Sequence, residues 1–257
     1  MKRMILLVSL LASAGFAADM PKPDLFLIHE EIVKPGAVMA YEAASKDFIA
    51  ALAEKKLMSS ALNWNAYMRD DFHYYYIFSI ANLAALDSSQ IEWDKAKAAI
   101  GADRWAALER RGADATVSYN EFVTMRRPDL SYVPANPRLK AEEQKFVRLD
   151  FYYLVPGKQA EAEAIAKDYI ALFKAKNITE PFTIYMDVTG NDLPLLVAGI
   201  PAKSASDQSA AEERVNSILG SDVLPLQARA MAITRRFDRR TVVYRPDLSR
   251  MVTAALK

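Results

Sequence analysis

The sequence predicts an α+β fold made of two successive copies of one unit, each with the element order βαββαβ. Three observations carry this. Short motifs recur in the same order at nearly constant separation. Pro35-Gly36 and Pro156-Gly157, like Lys46–Ala50 and Lys167–Ala171, lie 121 residues apart, and Arg-Pro-Asp-Leu-Ser occurs at Arg127–Ser131 and again at Arg245–Ser249, 118 apart. A preserved order at so long a period marks a duplication rather than a solenoid. Within each copy, stretches of alternating apolar residues are separated by stretches with helical spacing. Finally, the polar, proline-bearing segment Pro134–Glu143 separates the copies.

The elements of the first copy follow in order. Leu25–Val33 is apolar and β-branched enough for a strand, and Pro35-Gly36 turns the chain. Ala37–Lys56 places Met39, Tyr41, Ala44, Phe48, Ile49 and Leu52 at helical spacing. Asn63–Arg69 and His73–Ile80 read as two strands joined at Asp70-Asp71. Ile91–Arg110 reads as a second amphipathic helix and Thr116–Met125 as a last strand, which Pro128 ends. The second copy repeats the order. Phe146–Leu154 is a strand, Gln159–Lys176 a helix, and Phe182–Val188 and Leu193–Ile200 a hairpin around Gly190-Asn191-Asp192. Ser209–Leu219 and Gln227–Ala232 are helical, and Ile233–Tyr244 is the last strand. In both Arg-Pro-Asp-Leu-Ser motifs the expected role is punctuation: Pro stops the strand and Asp caps the turn, with anion binding by Arg127 and Arg245 as the alternative.

Composition excludes several classes of function. The chain begins with Lys2 and Arg3, an apolar run Met4–Leu11, and small residues leading to Gly15-Phe16-Ala17. This pattern predicts a signal peptide over 1–17, units over 18–135 and 136–257, a periplasmic or secreted location, and no stable membrane insertion after cleavage. A formal charge of +1 gives no support for nucleic-acid binding. With no cysteine, disulfides, thiolate catalysis and Cys-ligated metal are excluded. No phosphate-binding glycine loop, dinucleotide fingerprint or nucleophile elbow is present. The expectation is therefore no metal and no cofactor, with a monomer or homo-oligomer and a small-molecule ligand.

Two βαββαβ units in one chain resemble the dimeric α/β-barrel (ferredoxin-like) superfamily in its tandem, fused form, which includes NIPSNAP-like and antibiotic-biosynthesis-monooxygenase-like proteins. The resemblance implies an intramolecular α/β barrel: two four-stranded sheets face each other, helices cover the outside, and a cavity lies between the sheets.

Strand alternation then sorts the side chains. Phe26, Ile28 and Ile32, with Val147, Leu149, Phe151 and Tyr153, form an apolar face expected to pack under helices, Glu30 being the misfit. The opposite face carries His29, Glu31, Arg148, Asp150 and Tyr152. On the next strand of each copy the polar face carries Asn65, Tyr67 and Arg69, and Tyr185. If the polar faces meet between the sheets, they line a polar-aromatic cavity. His29, Arg148 and Asp150 are its catalytic candidates, because an imidazole facing a carboxylate is general-base geometry. Glu31, Asn65, Tyr67, Arg69, Tyr152 and Tyr185 are its ligand-binding candidates. Self-satisfied pairs such as Arg69 with Glu31 or Arg148 with Asp150 are the structural alternative. Three functions stay open: an exported small-molecule binder, a cofactor-independent oxygenase or isomerase (or a haem-dependent variant through His29 or His73), and an interaction module using Tyr74–Tyr76 as an edge.

Overall fold

A computed structural model of the chain describes residues 24–252; the segment read as a signal peptide lies outside them. The elements are β1 (Asp24–Val33), α1 (Val38–Glu54), β2 (Asn65–Arg69), β3 (His73–Ile80), α2 (Ala85–Ile100), α3 (Ala102–Ala115), β4 (Thr116–Arg126), β5 (Phe146–Leu154), α4 (Gln159–Ala175), β6 (Thr183–Thr189), β7 (Leu195–Ala202), α5 (Ala205–Leu219), α6 (Leu224–Ala232) and β8 (Thr234–Tyr244). The helix expected over Ile91–Arg110 is two helices. Gly101 adopts φ +94° between them, a conformation that glycine takes without a Cβ penalty. Its N–H closes α2 on the Lys97 carbonyl, and its own carbonyl accepts from Trp105 to start α3.

The strands close into one antiparallel barrel in the order β1-β3-β2-β8-β5-β7-β6-β4. Each unit supplies four neighbouring strands. At both seams the second strand of one unit pairs with the last strand of the other: β2 with β8 at Tyr67–Tyr244, and β4 with β6 at Arg126–Tyr185. Closure removes the free edges of both sheets, and a single chain supplies both seams. Tyr74–Tyr76 is therefore no contact edge. It lies in β3 between β1 and β2, and the Tyr74 and Tyr75 side chains are buried.

The duplicated Arg-Pro-Asp-Leu-Ser fastens these seams. Arg127 grips Asp129 through two hydrogen bonds of 2.9 and 2.7 Å and reaches Glu163 on α4 at 2.8 Å. Arg245 grips Asp247 through two of 2.9 Å and reaches Glu42 on α1 at 2.5 and 2.7 Å. In both copies the Ser hydroxyl accepts from a backbone N–H of the other unit, Ile184 for Ser131 and Ala66 for Ser249. Leu130 and Leu248 are fully buried. Asp thus serves as an arginine partner rather than a cap, and both guanidiniums are occupied by carboxylates of the protein.

Three apolar clusters result. One lies between the first unit's sheet and α1–α3, around Leu52, Trp64, Tyr74 and Trp105. A second lies between the second unit's sheet and α4–α6, around Ile165, Phe182, Ile184 and Leu196. The third lines the barrel lumen with Ile28, Tyr75 and Val242 and, against them, Phe26, Tyr67, Phe122, Val147 and Leu149.

The lumen corrects the expected facing of β1 and β5. Phe26, Ile28, Val147 and Leu149 point into the barrel, while His29, Glu31, Arg148, Asp150 and Tyr152 point outward beneath the helices. The physical reason is that inward side chains line the interior of a small barrel while helices cover its outside, so β1 and β5 are enclosed on both faces. Apolar alternation cannot tell the lumen from the helix-covered side. β2 and β6 face as expected, with Asn65, Tyr67 and Tyr185 inward and Trp64, Ala66, Phe182 and Ile184 toward the helices.

Candidate functional site

The outward rows of β1 and β5 occupy equivalent places in the two units and have different fates. In the first unit, His29 lies between two carboxylates, with Nδ1 2.9 Å from Glu121 and Nε2 3.0 Å from Glu31. Glu31 also accepts from the Tyr41 hydroxyl, which is 2.7 Å from the Tyr76 hydroxyl. Burial alone would lower the His29 pKa, but the two carboxylates outweigh it and push it up to about 9. His29 is thus an imidazolium at neutral pH with both N–H groups engaged, and is unavailable as a general base. Its expected partner Asp150 lies on the other unit and binds two arginines instead.

The rest of that layer is filled by rings. Trp64 stacks on Trp93 with centroids 6.2 Å apart, Trp93 on Phe48 at 6.1 Å, and Tyr41 leans on Tyr74 at 4.8 Å.

The second unit lacks this filling. The separation of 121 places Tyr41 on Ala162. The strand registers place Tyr76, opposite His29, on Ala198, opposite Asp150; they also place Tyr74 on Leu196. Matching Ile100-Gly101 with Leu219-Gly220 places Trp93 on Glu212. Four rings become two methyl groups, an isobutyl group and a carboxylate, and a cavity of about 250 Å³ opens between the sheet and α4, α5 and α6. Its body is apolar, made by Ile165, Phe173, Phe182, Ile184, Leu196 and Val215 among others. One side carries Arg148, Asp150, Glu212 and Arg239.

These four charges form one network. Arg148 lies 3.2 Å from Asp150 and 2.9 Å from Glu212, and Arg239 lies 2.8 Å from Asp150 and 3.5 Å from Glu212. Asp150 is 3% exposed, and burying a carboxylate at that depth requires such pairing. Two polar atoms of the wall remain unsatisfied: Oε1 of Gln208, a residue 7% exposed, and Nε of Arg148. Buried polar atoms without a partner are uncommon and call for an explanation. Both belong to residues that line the cavity, though the two atoms themselves are turned away from its open space. Tyr152 and Tyr169 add two phenols whose pKa values burial raises, Tyr169 to about 12.

The other candidates divide. Asn65, Tyr67 and Tyr185 line a separate cavity of about 350 Å³ in the barrel lumen. Arg69 closes a network at one end of the barrel. It grips Asp71 at 2.6 and 2.7 Å, donates to the Tyr75 hydroxyl at 2.8 Å and lies 3.8 Å from Glu30, not Glu31. His73 contacts Glu30 at 2.7 Å in the same network. Neither histidine lines either cavity, so neither cavity presents an imidazole to a haem iron. Among the described residues no group of three His, Cys, Asp or Glu side chains is placed to hold a metal ion, and no helix is long and apolar enough to cross a membrane.

No protein-family model matches the chain, and no curated protein matches it. Solved structures do. An anthrone oxidase-like protein superposes with a TM-score of 0.57 at 9% identity, over 86% of this chain and 91% of that one. A provisionally assigned monooxygenase from Lactobacillus acidophilus gives 0.51 at 7%, over 87% and 94%, and another from Fusobacterium nucleatum gives 0.51 at 9%, over 88% and 94%. The chain has the dimeric α/β-barrel fold in its fused form. At such identities the likeness is one of fold, and a fold of this kind hosts unrelated chemistries.

Within the dimeric α/β-barrel frame, sequence reasoning found Arg148, Asp150 and Tyr152 but placed them between the sheets. It missed Gln208, Glu212 and Arg239. A signal for Glu212 was present: the aligned motifs put a carboxylate where the first copy has Trp93. Gln208 carried none, because its weight comes from burial without a partner.

Proposed function

We propose that the protein binds a small, largely apolar molecule bearing a hydroxyl group in the cavity between β5–β7 and helices α4–α6. The carrying observation is a largely apolar cavity that the second unit leaves open where the first has Tyr41, Tyr76 and Trp93, with the charges of Arg148, Asp150, Glu212 and Arg239 along one side. A hydroxyl both donates and accepts, so it suits a polar side that offers guanidinium donors and carboxylate acceptors together. The ionic network fixes Arg148 and shapes the polar end, and the apolar body supplies the gain from burial. The N-terminal sequence motivates placing this binding in the periplasm or outside the cell.

Isothermal titration with 2-naphthol tests the reading. Saturable binding is expected to be retained in G199L, which alters the lumen only, and lost in A198W, which restores a ring where the first unit has Tyr76. Equal binding by A198W and the parent protein would reject this cavity as the site.

A second reading, oxygenation of such a molecule without a cofactor in the same cavity, is favoured by the names of the fold neighbours and by the ionic network beside the bound molecule. It predicts substrate-dependent oxygen uptake that falls at least tenfold in R148A. It assigns no role to His29, which is protonated and outside the cavity.

A further inference from the structure

The barrel lumen holds a second cavity, of about 350 Å³, separate from the one between sheet and helices. Strand β7 divides the two: Ala198 faces the helix side and the adjacent Gly199 faces the lumen. Gly199 stands where the first unit has Ile77, since each pairs with the equivalent residue of its neighbouring strand, Leu149 and Ile28. A Cβ on Gly199 would meet Tyr185, Leu149 and Val147 at 3.5–3.7 Å, ordinary contact distances. The backbone therefore does not demand glycine, and the missing side chain leaves space. In the same way Val197 stands where the first unit has Tyr75.

The chemistry of this space is distinct. Its walls are aromatic and aliphatic, and none of its lining residues is basic. Its one ionisable acid is Asp187, which accepts from Asn191 at 2.5 Å and forms no ion pair among the described residues. Burial raises the Asp187 pKa. Across the β4–β6 seam, Thr124 is 6% exposed, and its hydroxyl lies beside the Asp187 carboxyl without completing a well-formed hydrogen bond. An anionic ligand would meet uncompensated repulsion here. A cation would find a carboxylate to pair with and, among the lining residues, the rings of Tyr67, Tyr185 and Phe122, whose faces attract positive charge.

We infer that the barrel lumen is a second ligand site, for an apolar molecule carrying one amine, with Asp187 receiving the ammonium group and the space beside Gly199 receiving the apolar body. The probe is 2-naphthylmethylamine, with 2-naphthalenemethanol as its uncharged counterpart, titrated calorimetrically at pH 7 against the full chain carrying A198W, which refills the helix-side cavity proposed above for hydroxyl-bearing molecules. The amine is expected to bind at least tenfold more tightly than the alcohol. D187N, nearly isosteric, should abolish that preference. In that background G199L should weaken both by at least tenfold, and the amine should bind A198W and the parent protein equally. Circular dichroism and thermal melting establish that each variant is folded. Equal affinity for amine and alcohol, a preference that survives D187N, or no saturable binding of the amine would each overturn the inference. Loss of binding in A198W with retention in G199L would reassign the amine to the helix-side cavity and would also overturn it.

Discussion

At the scale of single residues, the clearest consequence concerns His29. Its folded pKa of about 9 exceeds the ordinary 6.5, so its protonated form stabilises the fold. That stabilisation is complete below about pH 6.5 and is lost as pH rises through about 9. It amounts to at most about 3 kcal/mol, held by Glu121 and Glu31 together. Urea denaturation from pH 6 to 10 is expected to show H29Q less stable than the parent protein at pH 6, with the gap closing by pH 10. A gap independent of pH would contradict the assignment. His29 also marks a limit of reading the sequence. Its alternation was visible, and so was its alignment with Asp150. Its true partners were not, because Glu121 comes from β4, 92 residues away in the chain, and only the barrel register brings it alongside.

At the scale of elements, the seams decide whether the barrel closes. The β6–β7 turn packs against β4 through Gly190, at φ +94°. A Cβ there would fall 2.5 Å from the Glu121 carbonyl oxygen and 2.7 Å from the Phe122 Cα. Both atoms are backbone and cannot step aside. G190A is therefore expected to cost about 2–4 kcal/mol in chemical denaturation, more than the ~1 kcal/mol typical of a point substitution. The arginine clamps form the other half of this account. R127A or R245A leaves two half-buried carboxylates without their guanidinium and is expected to cost about 1–3 kcal/mol, with the two variants similar because the clamps are equivalent. A neutral R245A would show that the clamp is incidental. The sequence displayed both motifs and their spacing, which revealed the duplication. It did not reveal that each Arg reaches a helix of the opposite unit, Glu163 or Glu42, since that follows only once the units interlock strand by strand.

At the scale of the whole molecule, duplication followed by divergence explains the asymmetry of the two halves. The element order, the repeat and the inward polar rows of β2 and β6 were legible, because motif spacing and period-two alternation survive in the chain itself. The facing of β1 and β5 was not, because a closed barrel covered by helices offers two apolar environments and hydrophobicity cannot choose between them. The result is one unit packed solid with Trp64, Trp93, Tyr41 and Tyr76, and one in which Ala162, Ala198 and Glu212 leave an opening. Refilling that opening should leave the fold intact. A198W is expected to melt within a few degrees of the parent protein while losing ligand, since the cavity has room for the ring. A collapse in melting temperature would mean that the space is not available to a side chain.

The most direct measurement is a crystal structure of the protein soaked with 2-naphthol. The account predicts the naphthol ring between β5–β7 and α4–α6, with its oxygen at the polar side formed by Arg148, Asp150, Glu212 and Arg239. Density confined to the lumen or to the outer surface, with the helix-side cavity closed by side-chain rearrangement, would contradict it.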